Sequence, residues 1–184
     1  VYAVSWCGGG GFGDPLDRDP AAIDADLDGL FVSAQAAHSI YGAVIGADGR
    51  VDRDATERRR AELRAGRVKR LGGRMTRRDG AKLVEASVTV HVHRDAAGTY
   101  HACARCGCAL GDARESFKRH ALREDLPITA ASPRIADPAV YIDNRVSFRH
   151  FYCPGCGTLL DTEVAADDVP PLHDIEIRIP AAVA

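Results

Sequence analysis

Two matching cysteine pairs constrain this chain more than anything else in it. They read Cys103-Ala104-Arg105-Cys106-Gly107 and Cys153-Pro154-Gly155-Cys156-Gly157. A zinc ion takes four soft or borderline ligands at the corners of a tetrahedron, and two cysteines two residues apart can wrap one edge of it. The glycine after each second cysteine suits a tight knuckle, where a left-handed residue lets backbone N–H groups face thiolate sulfur. Each pair follows a segment that reads as a strand, the arrangement of a zinc ribbon. The gap of 46 residues between Cys106 and Cys153 is long but tolerable, because ribbons accept insertions between their knuckles. Cys103, Cys106, Cys153 and Cys156 are therefore the expected metal ligands. A four-thiolate shell is full, so such a zinc would hold the fold and would not activate water. The competing reading is a pair of redox dithiols. A redox pair usually opens a helix after a strand, and two pairs with matching glycines fit that pattern poorly.

The other cysteines carry less. Cys108 reads as a small buried thiol or an alternative ligand, and Cys7 as an apolar residue before a glycine run. His91 and His93 alternate with Val88, Val90 and Val92, the period of a half-buried strand. They could chelate a metal with a third group, but histidines on a polar strand face are ordinarily just solvated. His101, His120 and His150 also lie near the knuckles in sequence. Gly8 to Gly13 lacks the Gly-Lys-Ser/Thr ending of a phosphate loop.

The chain changes character near residue 72. Asp14 to Asp28 holds six acidic residues and one basic, whereas Arg53 to Lys82 holds twelve basic and four acidic. Over the whole chain 24 Lys and Arg stand against 26 Asp and Glu, a net charge of -2, which argues against a dedicated nucleic-acid or anionic-membrane binder. The run Arg58-Arg59-Arg60 lacks interleaved aromatics and reads as a solvated helix face or a docking surface. Hydrophobic residues at 46% and charged residues at 27% describe an ordinary globular chain. No stretch approaches the ~20 apolar residues of a bilayer span, and no signal peptide opens the sequence, so a reducing, cytoplasmic setting is expected. The chain begins at Val1 and its sole methionine is Met75, so it reads as the end of something longer.

The stretch before residue 72 predicts a short strand over Val1–Trp6, a helix from Asp19-Pro20 to Asp28, and a second helix from Ser33 to Gly42. A brief strand and turn follow over residues 43–50. A third helix runs from an Asp54/Glu57 capping box to about Arg70. Its apolar stripe is only Ala61, Ala65 and Val68, and these elements look too sparsely apolar for a core of their own. Residues 71–80 are glycine-rich and basic and read as a linker. Beyond them the pattern predicts strands over residues 88–93, 99–102, 146–152 and 158–164. It also predicts a helix over Ala113–Arg123 and a last strand through Ile175, Ile177 and Ile179. The expected class is α+β: a small helical and hairpin region followed by a β-rich zinc-ribbon domain.

Both halves resemble known families. Gly8-Gly9-Gly10-Gly11-Phe12-Gly13-Asp14-Pro15-Leu16-Asp17-Arg18-Asp19-Pro20 resembles the C-terminal signature of the hydantoinase B/oxoprolinase family. Gly29-Leu30, Ser33, Ala36-Ala37, Tyr41-Gly42-Ala43-Val44 and Asp54-Ala55-Thr56 continue the likeness to about Arg70. The second half is similar to the zinc-binding gamma-type subunit of acetone and acetophenone carboxylases. That likeness rests on Cys103-x-x-Cys106-Gly107, on Phe151-Tyr152-Cys153-Pro154-Gly155-Cys156-Gly157-Thr158-Leu159-Leu160, and on Pro170-Pro171-Leu172 with Asp174. The resemblance implies residues 1–72 as the tail of a hydantoinase B-type domain, 73–82 as linker, and 83–184 as the gamma-like zinc domain. It implies membership of an ATP-dependent enzyme complex that carboxylates ketones or, in other relatives, opens cyclic amides. The expected partners are a hydantoinase A-type subunit and the rest of the B-type domain. ATP and a second metal would belong there, and no catalytic residue carries over to this sequence. The alternative is a non-enzymatic zinc-ribbon adaptor binding protein or nucleic acid.

Overall fold

The computed structural model describes residues 13–132, 135–173 and 175–177. The expected Val1–Trp6 strand, Cys7 and most of the glycine run lie outside them.

Three helices come first. Helix α1 (Pro20–Asp28) starts where Asp19 accepts the Ala21 amide, with proline at the first helical position. Helix α2 (Ala34–Tyr41) is capped by the Ser33 hydroxyl and ends at Gly42 (φ 64°). A β-carbon on Gly42 would crowd Leu16, Arg60 and Leu63, so both the left-handed turn and the packing require glycine. The strand expected after it shrinks to a single bridge, Ile45 to Val51.

Helix α3 (Arg53–Leu71) corrects two expectations. Its N-cap is Asp52, which accepts the Ala55 amide, not Asp54. The bridge at Val51 ends the turn, and Thr56 Oγ1 takes the Val44 amide at 3.0 Å, which fixes the first helical turn at that point. The inner face is also not the alanine stripe. Thr56, Arg60 and Arg64 are the buried residues of α3. Arg60 donates to the carbonyls of Tyr41 (3.0 Å) and Arg18 (2.8 Å), and Arg64 pairs with Asp17 at 2.7 Å. Arginines paired in this way can lie inside with their aliphatic stems packed, although Arg64 Nε has no hydrogen bond and only the Asp14 carboxylate 3.5 Å away. A small core does form here, from Ile23, Ala37, Ala43 and Val51.

Residues 73–80 hold no helix or strand, yet they are fastened. The Ala109 amide donates to Thr76 O, and Arg78 forks onto Asp95 while lying 4.0 Å over the Tyr100 ring.

Among the described residues seven strands follow, in two antiparallel sheets. The first is β1 (Ala81–Glu85), β2 (Val90–Asp95), β3 (Gly98–Cys103) and β4 (Ala109–Asp112), in that order. The second is β5 (Leu122–Pro127), β6 (Val146–Tyr152) and β7 (Leu159–Ala166). The expected Ala113–Arg123 helix is not formed: Phe117–His120 is a 3-10 turn, and the last two residues, Leu122 and Arg123, open strand β5. Pairing of Leu122 to Pro127 with Tyr152 to Ser147 overrides the local helical preference. Of the last expected strand, residues 175–177 belong to no strand and Ile175 packs on the core instead, while Ile179 lies outside the described residues. That core comprises Val90, Cys103, Cys108, Leu110, Phe117, Cys153 and Leu160. The coarse class therefore holds: helices with antiparallel sheets around a cysteine cluster.

Candidate metal centre

Each cysteine pair sits in the turn of a hairpin, one between β3 and β4 and the other between β6 and β7. The two turns share one hydrogen-bond pattern. In the first, the Cys103 amide donates to Cys108 O (2.9 Å) and the Gly107 amide to Cys103 O (2.9 Å). In the second, the Cys153 amide donates to Thr158 O (2.8 Å) and the Gly157 amide to Cys153 O (2.9 Å). Gly107 and Gly157 both adopt the left-handed conformation, at φ 70° and 72°. The glycine in Cys-x-x-Cys-Gly thus serves the turn that faces both cysteines one way.

Cys103, Cys106, Cys153 and Cys156 place their sulfurs within 4.8 Å of one another. Across the two turns, Cys103 Sγ lies 3.8 Å from Cys156 Sγ, and Cys106 Sγ lies 3.6 Å from Cys153 Sγ. Zinc–sulfur bonds of about 2.3 Å in a tetrahedron put sulfurs about 3.8 Å apart, so the donor set fits that ion. The described cysteines are free thiols. Packed this tightly, two of them ionise at the expense of the other two. Hydrogen bonding to Cys106 first of all drives Cys103 far up, and hydrogen bonding to Cys103 does the same to Cys153. The Cys106 and Cys156 thiols move down, chiefly through Cys103. A divalent cation removes that competition by holding all four as thiolates.

Two further groups stand beside the four sulfurs. Cys108, fully buried, occupies the place in the first turn that Thr158 holds in the second. Its Sγ accepts the Thr76 amide at 3.4 Å, and hydrogen bonding with Cys153 first of all pulls its thiol down to about 6. It stands outside the four-sulfur group. Cys108→Ser is therefore expected to keep one metal per chain, measured by elemental analysis of the purified protein. Loss of half the metal or more would make Cys108 a ligand. Asp14 is the second neighbour. Its buried carboxylate accepts the Leu159 amide beside the second turn at 3.1 Å. The likeness in Gly13-Asp14-Pro15 marked that residue, but nothing in the spacing tied it to the cysteines.

The histidines do not converge. His91 and His93 stack with centroids 6.3 Å apart, and His93 Nδ1 lies 3.1 Å from Gly80 O. His101 is buried against Glu115 O, and His150 Nδ1 meets the Tyr152 hydroxyl at 2.7 Å. Among the described residues no second group of three ligating side chains forms. The arginine run does not form one patch either, since Arg60 points inward while Arg58 is exposed.

A family model described as acetone carboxylase gamma subunit matches residues 82–184, more than half of the chain. The chain belongs to that family. Beyond it, the chain is 45% identical over 72 residues to the acetone carboxylase alpha subunit of Xanthobacter autotrophicus, covering 37% of this chain and 9% of that protein. It is 36% identical over 80 residues to the acetophenone carboxylase beta subunit of Aromatoleum aromaticum, covering 42% of this chain and 62% of that protein. It is 46% identical over 54 residues to the caprolactamase subunit beta of Pseudomonas jessenii, covering 29% of this chain and 9% of that protein. The chain therefore spans about a tenth of its large-subunit relatives. All three relatives are named as enzyme subunits. No helix among the described residues is long and apolar enough to cross a membrane.

Proposed function

We propose that this chain is the C-terminal portion of a subunit of an ATP-dependent carboxylase complex of the acetone and acetophenone carboxylase type. Residues 1–72 are the tail of a hydantoinase B-type domain, 73–82 a linker, and 83–184 a zinc ribbon of the gamma type, all on one polypeptide. The observation that carries this reading is that one chain matches both a large carboxylase subunit and a small one, with the gamma family covering its second half.

Zinc on Cys103, Cys106, Cys153 and Cys156 has a structural role, because four thiolates leave no open position for water or substrate. The chain alone then turns over nothing. Its partners are a hydantoinase A-type subunit and the remaining B-type domain, which supply ATP binding and any second metal. Exposed apolar side chains support an assembly role. Leu30 and Phe31 are 90% and 84% exposed, and Val140 and Tyr141 are 72% and 77% exposed. Two adjacent pairs of large apolar side chains left this open to solvent are available for association. Ketone carboxylation is preferred to cyclic-amide opening because the gamma family is named for the former, although the caprolactamase match keeps the second chemistry in the test.

The test is native mass spectrometry of the endogenous protein with its metal content and co-purifying chains. The expected result is a zinc-containing hetero-oligomer that includes a hydantoinase A-type chain and hydrolyses ATP with a ketone and bicarbonate. A free zinc protein of about 20 kDa would overturn the enzyme reading and leave the adaptor. ATP hydrolysis only with a cyclic amide would overturn the ketone assignment alone.

A further inference from the structure

The two cysteine turns share one backbone pattern but differ sharply in surroundings. Around Gly107 of the first turn, a β-carbon would meet nothing within 4 Å. Around Gly157 of the second, it would fall 2.3 Å from the carbonyl oxygen of Arg64 in α3. A β-carbon on Gly73 would likewise fall 2.5 Å from Pro154 O. The end of α3 and the segment after it therefore lie directly on the second turn.

Polar contacts hold them there. Arg67 Nη1 donates both to Gly157 O (2.9 Å) and to Asp14 Oδ2 (3.1 Å). The same Asp14 oxygen accepts the Leu159 amide (3.1 Å), and Asp14 Oδ1 accepts the Leu16 amide (3.0 Å). The Asp14 side chain is wholly buried, and Arg64 Nε stands 3.5 Å from it. The Arg67 guanidinium also lies 4.7 Å over the Tyr152 ring. Tyr152, Gly157 and Leu159 all flank Cys153 and Cys156. The first turn meets the helical region through an ion pair of Arg105 with Asp17, between side chains about 40% exposed. An exposed pair of that kind contributes little.

We propose that the metal-closed second turn is the seat on which the helical region docks. Asp14 and Arg67 recognise the backbone shape that the metal imposes on residues 153–159. Gly157 O and the Leu159 amide point the required way only while Cys153 and Cys156 are held together. Loss of the metal unmakes that seat, so the segment Gly13–Asp17 and α3 lose their attachment as the sheets open, even though neither contributes a ligand. This inference rests on the zinc reading above. It adds that the metal governs the attachment of a segment remote in sequence, beyond stabilising its own domain.

The test uses the full chain. Amide hydrogen exchange is followed in α3 alongside metal content, for the wild type, Arg67→Leu and the exposed control Arg58→Ala. Arg67→Leu is expected to keep one zinc per chain while α3 exchanges about tenfold faster, the factor implied by losing a charge-assisted hydrogen bond to a buried carbonyl. Arg58→Ala should match the wild type. Stripping zinc from the wild type should speed α3 exchange at least as much as Arg67→Leu does. Wild-type α3 protection that survives metal removal would overturn the inference, and so would a fully loaded Arg67→Leu chain with unchanged α3. A wild-type chain that takes up no zinc would instead remove the zinc reading, a failure distinguishable from the other two.

Discussion

Cys153→Ser is expected to leave the chain without stoichiometric metal and with both sheets unfolded at 25 °C. The reason lies in what the core is made of. Of the seven buried residues around which the sheets close, three are cysteines, and Cys106 and Cys156 pack against them. Val90, Leu110, Phe117 and Leu160 supply the rest of that cluster, while Val92, Tyr100 and Phe151 are buried outside it. A domain whose central cluster is this rich in sulfur is marginal without a staple. Structural zinc contributes an apparent binding free energy of about 10–16 kcal/mol at neutral pH, comparable to or larger than the about 5–15 kcal/mol of a whole domain. Serine keeps the size but is a poor ligand, and its hydroxyl would sit among sulfurs that no longer share a cation. The measurement is elemental analysis with far-ultraviolet circular dichroism, and the wild type treated with a strong chelator should behave alike. Acid should do so too, because protons compete with the metal for the four thiolates. A Cys153→Ser chain that melts cooperatively at the wild-type temperature would sink this prediction. Set beside Cys108→Ser, which should be fully loaded, it separates a ligand from a buried thiol nearby.

The sequence made some of this legible and concealed the rest, for identifiable reasons. Helices α1 and α2 could be placed because Asp19-Pro20, Ser33 and Gly42 are local capping signals whose chemistry is complete within four residues. Strand β6 was likewise readable from Val146 to Tyr152. The proximity of the four cysteines followed from spacing and turn chemistry alone. What failed was non-local. Nothing within Ala113–Arg123 announces that Leu122 pairs with Tyr152 or that only Phe117–His120 winds, and then only as a 3-10 turn, so the local helical preference misleads there. The apolar residues of helix α3 mislead, because its inner face is built from Arg60 and Arg64, paired with carbonyls and a carboxylate far away in sequence. A helix with that composition cannot be oriented by periodicity, because the groups that make its arginines buriable lie on other elements. For the same reason the glycine after Cys156 was read as a turn residue, and its second duty against Arg64 O stayed hidden.

A second large effect is expected at Glu163, again from groups the sequence pattern treats as surface. Glu163 sits on β7 and is almost wholly buried. Its carboxylate accepts from Arg149 Nη1 (3.0 Å), Lys118 Nζ (3.1 Å) and the Leu172 amide (3.2 Å). Arg149 and Lys118 are themselves buried, and Lys118 also reaches Asp161 at 2.8 Å. Glu163→Gln keeps the shape and removes the charge that both cations face. Removing one partner of a buried ion pair costs about 3–5 kcal/mol, because the remaining charge stays desolvated. For a chain of this length that is a fall in Tm on the order of 10 °C. The pH dependence supplies an independent check. Burial opposes ionisation of Glu163, but hydrogen bonds from Arg149 and Lys118 outweigh it and hold the carboxyl below its ordinary value of 4.5. A depressed carboxyl stabilises the fold fully above the unfolded value and loses that contribution only as pH falls through the folded one. The gap between wild type and Glu163→Gln should therefore stay constant from pH 8 to pH 5, in denaturant titrations with zinc held in excess. A gap that narrows between pH 7 and pH 5 would mean that the carboxylate is not held down by its two cations. A gap near zero at pH 7 would mean that Asp161 and the backbone carbonyls alone suffice for Lys118 and Arg149.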